Sequence, residues 1–184
     1  MPSHKERMLS GEAYCADDPE LLDERRVCRL LTERLNATSV AEAVAREEIL
    51  HTLLGGFGDE SEVLSPFQCD YGYQITIGAR SFINFGAVIL DSAPVSIGDD
   101  VQIGPSVHLI TPTHPLDPTA RRTRFESALP IRVGDGAWLA TGVIVCPGVT
   151  IGADAVVGAG SVVTKDVPER HLCLGTPARV VREL

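Results

Sequence analysis

Twelve aliphatic residues fall on one six-residue clock: Ile77, Ile83 and Ile89, then Ile97, Ile103 and Leu109, then Val133, Leu139, Val145, Ile151, Val157 and Val163. A two-residue slip separates Ile89 from Ile97, and the longer gap from Leu109 to Val133 is itself a multiple of six. An insertion has entered there without disturbing the rhythm. Two positions ahead of the clock residues stand Ile75, Ser81, Ala87, Val95, Val101, Val107, Ile131, Ala137, Val143, Val149, Ala155 and Ser161, all small or β-branched. Side chains two apart on a strand share a face, so both members of each pair point inward. Glycine follows the clock residue at 78, 98, 104, 134, 152 and 158, where a chain without a Cβ bends freely.

Short strands bounded by turns and repeated at fixed spacing build a solenoid, in which each coil buries its apolar residues on the next. Three such strands make a triangular coil. A meander or sandwich of short strands would show looser spacing and stronger hairpin signals. The expected class is therefore mainly β, a parallel β-helix. Its narrow interior suits a chain that is 44% hydrophobic but only 5% aromatic.

A net charge of −9 argues against nucleic acid as the main partner. The cysteines, Cys15, Cys28, Cys69, Cys146 and Cys173, are odd in number and lack paired ligand spacing. They read as reduced thiols of a cytosolic protein, with Cys146 a small packed residue rather than a nucleophile. No signal peptide and no apolar run long enough to span a bilayer is visible, so the expectation is a cytoplasmic protein with no membrane partner.

Residues 4–54 follow a helical rhythm instead. Asp18-Pro19-Glu20 supplies an N-cap, a proline at the first helical position and an acidic first turn. Leu21, Leu22, Leu30, Leu31 and Leu35 then form a stripe that stops near Asn36. Ser39-Val40-Ala41-Glu42 reads as a capping box, followed by Val44, Leu50, Leu53 and Leu54, with Gly55-Gly56 as the stop. The predicted organisation is a helical cap over 1–58 and a β-helix over 59–184, with an inserted loop at 111–130. The clock fails at Glu169, and His171 to Arg182 is expected to be an extended segment closing the last coil.

A uniform solenoid wall offers chemistry no purchase, so the insertion is the candidate site. It carries Thr113-His114-Pro115 among four prolines that stiffen it, and Glu126. An imidazole titrates near neutral pH and can take a proton from a hydroxyl; Glu126 is placed to orient it or to hold an acceptor. His108, His114 and His171 lack the stacking that a metal site needs, so no metal is expected. No GxxxxGK[ST] or GxGxxG stretch occurs. The bases Lys165, Arg170, Arg179 and Arg182 gather at the end of the chain, where arginines can clamp a phosphate.

With the hexads, Met8-Leu9-Ser10-Gly11-Glu12-Ala13-Tyr14, Cys69-Asp70-Tyr71-Gly72-Tyr73, Asn84-Phe85, Thr113-His114-Pro115, Val163-Thr164-Lys165-Asp166-Val167-Pro168 and Arg179-Val180-Val181-Arg182 in view, the chain resembles the hexapeptide-repeat sugar O-acetyltransferases. The resemblance is to the maltose and galactoside acetyltransferase group, with nodulation acetyltransferases as relatives. It implies a left-handed parallel β-helix and a homotrimer with acetyl-CoA sites between subunits. By position it makes His114 the general base for direct attack of a sugar hydroxyl on acetyl-CoA, with no acetyl-enzyme. Glu126 matches a loop glutamate of the maltose-type members. Asp17, Asp70, Asn84 and Asp91 match acceptor positions. Thr141, Ala159, Thr164, Lys165, Arg179 and Arg182 match coenzyme positions. The competing functions are acetylation of an amine on the same solenoid and a non-catalytic trimeric scaffold.

Overall fold

The computed structural model describes residues 2–184. Every clock residue and every partner two positions ahead of it is buried, none more than 3% exposed. The alternation is plain in Ile75–Ile77, Val95–Ile97 and Ile131–Val133, where the flanking residues are enclosed and the middle one faces water. Strands of two to four residues run parallel to the strand one coil away. The first face stacks Phe57, Ile77, Ile97, Val133 and Ile151. The second stacks Val63, Ile83, Ile103, Leu139, Val157 and Cys173. The third stacks Cys69, Ile89, Leu109, Val145 and Val163.

The coils extend beyond the sequence clock at both ends. Phe57, Val63 and Cys69 form a coil ahead of Ile77; its clock was hidden because an aromatic and a thiol occupy two of the three positions. At the other end the clock does not stop at Glu169. It contracts by two residues, and Val167 bridges Ile151 while Cys173 pairs with Val157. The tail is not a single extended piece either. His171–Gly175 turns back into Ala178–Glu183 as an antiparallel hairpin, and the second arm forms the outer edge of the second face.

The glycines after the clock residues serve close approach rather than bending. A Cβ on Gly98 would lie 2.1 Å from Asp135 Oδ1 and 2.8 Å from its backbone nitrogen in the next coil. The left-handed turn residue comes two positions later, at Arg80, Asp100, Ser106, Asp154, Gly136, Gly142 and Gly160, with φ between 55° and 69°.

The cap consists of α1 (His4–Leu9), α2 (Pro19–Ala37) and α3 (Ala43–Leu53). Asp18 caps α2 as expected, its carboxylate accepting the Glu20 N–H at 3.1 Å. The buried stripe differs from the leucine count. Leu21, Cys28, Thr32 and Leu35 face in, whereas Leu22, Leu30 and, on α3, Val44 face out. The capping box at Ser39 is a turn instead: Glu42 accepts from Ser39 N–H, but Ser39 Oγ accepts from Ala41, so α3 starts only at Ala43. Arg46 ties the cap to the first coil, its buried guanidinium donating to the carbonyls of Leu35, Thr38 and Val63 and to Ser65 Oγ. Cys28 and Leu35 of α2 and the buried face of α3 are continuous with the coil core, while Met8, Tyr14, Leu21 and Tyr71 form a separate cluster.

Leu139→Ala, at a fully buried rung, should cost about 2–5 kcal/mol in urea unfolding. Leu116→Ala, on the exposed loop, should change stability by less than about 0.5 kcal/mol.

Candidate active site

The corner between the third and first faces is irregular in each of the first three coils. Eight residues separate Cys69 from Ile77 and Ile89 from Ile97 where six would suffice, and the long insertion follows Leu109. These bulges stack, and Asp70, Asp91, His114 and Glu126 sit on them. The inserted loop folds into a small antiparallel sheet, with Pro112–Thr113 against Phe125–Ala128 and the latter against Tyr14–Cys15 of the cap. Between the loop strands lies α4 (Pro118–Arg121), with Asp117 as its cap. Arg121 donates to the carbonyls of Pro115 and Leu116, bracing the turn after His114. Arg124 pairs with Asp17, a second tie between loop and cap.

His114 is exposed, with its Nδ1 3.6 Å from Glu126 Oε2, while Glu126 is largely enclosed, its side chain 12% exposed. The other carboxylate oxygen of Glu126 accepts a 2.5 Å hydrogen bond from the Tyr14 hydroxyl. Asp17, His114, Arg121, Arg124 and Glu126 line an open cleft of about 380 Å³. A second hollow of about 250 Å³ adjoins it, bringing Asp70, Arg25, Arg29 and Ser92 to the same imidazole. Burial pushes the Asp70 carboxyl up, and Arg25 opposes that shift. Arg25 itself is held by the Tyr71 hydroxyl and the Ala16 carbonyl.

Asp91 is placed differently from the other acceptor candidates. It is 0% exposed, and its carboxylate accepts N–H bonds from Asp70 at 3.0 Å, Tyr71 at 2.9 Å and Gln74 at 3.4 Å. In this chain it shapes the loop that presents Asp70. Its burial outweighs those donors and raises its carboxyl to about 6.

The remaining candidates lie elsewhere on the same chain. Asn84 and Thr141 share a hollow of about 240 Å³ at the corner between the second and third faces, beside Trp138 and Gln102. Ala159 belongs to that corner one coil on, where Gly160 N–H donates to the Thr141 carbonyl. Lys165 and Arg179 flank a depression of about 190 Å³ at the end of the prism. Arg182 lies further along the same edge strand, opposite Leu172. Thr164 is exposed next to Lys165, and none of these three bases forms an ion pair among the described residues. Thus one chain unites Asp17, Asp70, His114 and Glu126 but holds Asn84 and the coenzyme candidates apart. Tyr14 and Ser92 were missed from sequence. Among the described residues no three His, Cys, Asp or Glu side chains converge in a way that could hold a metal ion, and no helix is long and apolar enough to cross a membrane.

Similarity to known proteins gives the class to which this solenoid with its helical cap and inserted loop belongs. Residues 7–58 match the maltose acetyltransferase hexapeptide capping motif, and residues 130–165 match the bacterial transferase hexapeptide. The chain is similar to the maltose O-acetyltransferase structure from Clostridium difficile 630, at 42% identity and a TM-score of 0.98 over 100% of this chain and 98% of that one. It is similar to a hexapeptide-repeat acetyltransferase from Vibrio cholerae complexed with acetyl coenzyme A, at 39% identity and a TM-score of 0.93 over 100% and 99%. Nodulation protein L of Rhizobium meliloti is 45% identical over 97% of both chains. The chain belongs to the hexapeptide-repeat acetyltransferases that carry the maltose acetyltransferase cap.

A carboxyl raised from 3.8 to about 6 binds its proton more readily in the folded protein than in the unfolded chain. Stability from this group is therefore greatest in acid and is lost as pH rises through about 6. Denaturant titrations of wild type and Asp91→Asn across pH 4 to 7 should show their stability difference moving against the wild type by on the order of 2–3 kcal/mol.

Proposed function

We propose that the protein transfers an acetyl group from acetyl-CoA to a hydroxyl of a sugar of the maltose, glucose or galactoside type, with His114 as the general base. The observation that carries this reading is the His114–Glu126 pair, an exposed imidazole with a carboxylate on its Nδ1 side, at the mouth of a polar cleft. A carboxylate there favours the tautomer with the proton on Nδ1, which leaves Nε2 as the acceptor for a hydroxyl proton. That nitrogen has no protein partner among the described residues. The deprotonating oxygen attacks the thioester carbonyl directly, so no nucleophilic side chain is needed. Asp17 and Asp70 face the cleft as hydroxyl-binding acceptors.

Acetyl-CoA supplies an activated acyl group and a thiolate leaving group. The chain offers groups that suit such a ligand: the exposed Lys165, Arg179 and Arg182 for phosphates, and the Thr141, Ala159 and Thr164 turns along the prism for a neutral extended arm. These lie at a different corner from His114. Trp138 and Phe85, about half exposed, leave an apolar surface beside Asn84 and Thr141. A cyclic homotrimer brings that corner of one subunit against the His114 corner of the next and completes each site from two chains. The reading involves no metal, no nucleic acid and no membrane, and it places the protein in the cytoplasm.

His114→Ala should lower turnover by about two to four decades while coenzyme binding persists. Undiminished turnover in a coupled free-thiol assay rules the base assignment out. Coenzyme A at a hundredfold excess over its dissociation constant should stabilise the fold by about 2.7 kcal/mol; no stabilisation would point to a scaffold.

If sites are shared, refolding His114→Ala subunits together with Asn84→Ala subunits should restore part of the activity that each lacks alone. Recovery requires an intact histidine from one subunit and an intact asparagine from its neighbour. Sites built within one chain would show no recovery.

A further inference from the structure

We propose that Tyr14, a residue of the helical cap, is a positioning residue of the transfer reaction: its hydroxyl fixes the Glu126 carboxylate so that Oε2 is presented to His114. The inference rests on His114 acting as the base. It gives the cap a part in proton abstraction that covering the end of a solenoid does not require.

The pairing begins in the backbone. Tyr14 and Glu126 are direct partners across the antiparallel ladder between Tyr14–Cys15 and Phe125–Ala128, which brings the two side chains side by side. The Tyr14 ring is 0% exposed and packs in its own apolar cluster with Met8, Leu21 and Tyr71, so it has one orientation available. Its hydroxyl donates to Glu126 Oε1 at 2.5 Å. Ser92 is buried on the neighbouring corner bulge. A phenol has a single proton, and here that proton is committed to Glu126.

The electrostatics agree with this direction. Burial and the adjacent Glu126 carboxylate push the Tyr14 phenol well above its ordinary range. It remains a donor at any working pH. Glu126 is mostly enclosed, and an enclosed carboxylate that loses a donor is left with an unmet hydrogen-bonding demand. Such a group turns towards whatever donor remains, and Arg121 and Arg124 line the same cleft. The Tyr14 hydroxyl therefore selects the His114-facing arrangement over an arginine-facing one.

The experiment is steady-state kinetics on Tyr14→Phe, Glu126→Gln, His114→Ala and the Tyr14→Phe/Glu126→Gln double variant in the full chain. Tyr14→Phe retains the ring and its packing. It should lower kcat about tenfold, the loss of one hydrogen bond to a charged group, with KM for acetyl-CoA and for the acceptor changed by less than about twofold. In the Glu126→Gln background the same change should have no further effect on kcat, because the two residues act in series.

Full kcat in Tyr14→Phe, a kcat loss that multiplies independently with Glu126→Gln, or a wild-type Glu126→Gln would each overturn the proposal. A merely structural role for Tyr14 would instead raise KM and lower the melting temperature without the non-additivity. Full turnover in His114→Ala marks the failure of the base assignment and takes this inference with it. An inactive His114→Ala beside a fully active Tyr14→Phe sinks the Tyr14 proposal alone.

Discussion

The interior of the prism admits two side chains per strand, and the strands of each face hydrogen-bond to those of the neighbouring coils. That combination dictates the rest of the molecule. Beyond the first coil, where Phe67 is enclosed, inward positions are aliphatic or small, turns must approach within van der Waals contact of the next coil, and glycine occupies positions such as Gly98 because any Cβ would collide. It also leaves function a single kind of location. Faces are committed to stacking, so reactive groups project from corners, where extra residues can be added without breaking the ladder.

The same economy explains why the site has several authors. The bulged corner contributes Asp70 and Ser92, the inserted loop contributes His114 and Glu126, and the cap contributes Tyr14 and Asp17. The loop is held by a three-stranded antiparallel sheet whose third strand comes from the cap. Its prolines limit local freedom, but register against Tyr14–Cys15 is what sets Glu126 beside His114. A cap that closes the solenoid thus also determines the geometry of a loop more than a hundred residues away in sequence.

How much of this was legible in sequence follows from periodicity. A period of two inside a period of six identifies inward positions without ambiguity, and all twelve clock residues are core. The first coil escaped because Phe57 and Cys69 do not read as aliphatic rungs, although the core accepts both. On the helices, apolar residues outnumber the positions the coil can bury, so counting leucines could not tell Leu21 from Leu22. The pairing of His114 with Glu126 could be proposed from the loop's composition. Tyr14 could not, because a two-residue strand has no period and its partner lies far along the chain. Asp91 was singled out only by its match to an acceptor position of the family, and only the fold reveals that its oxygens are taken up by backbone N–H groups. The slip from Ile89 to Ile97 was the usable signal for the site: it marked the corner on which every bulge is stacked.

The hairpin at the end of the chain has a consequence for how copies of this protein behave in a crowded solution. A parallel stack that simply stopped would offer a naked template to any passing strand, the route by which sheets grow into fibres. Here the second face ends in Ala178–Glu183, running antiparallel to its neighbour and carrying Arg179, Arg182 and Glu183 along its rim. A reversal of direction and a fringe of charge make that border a poor seed, so the chain can be built from repeats without inviting endless self-addition.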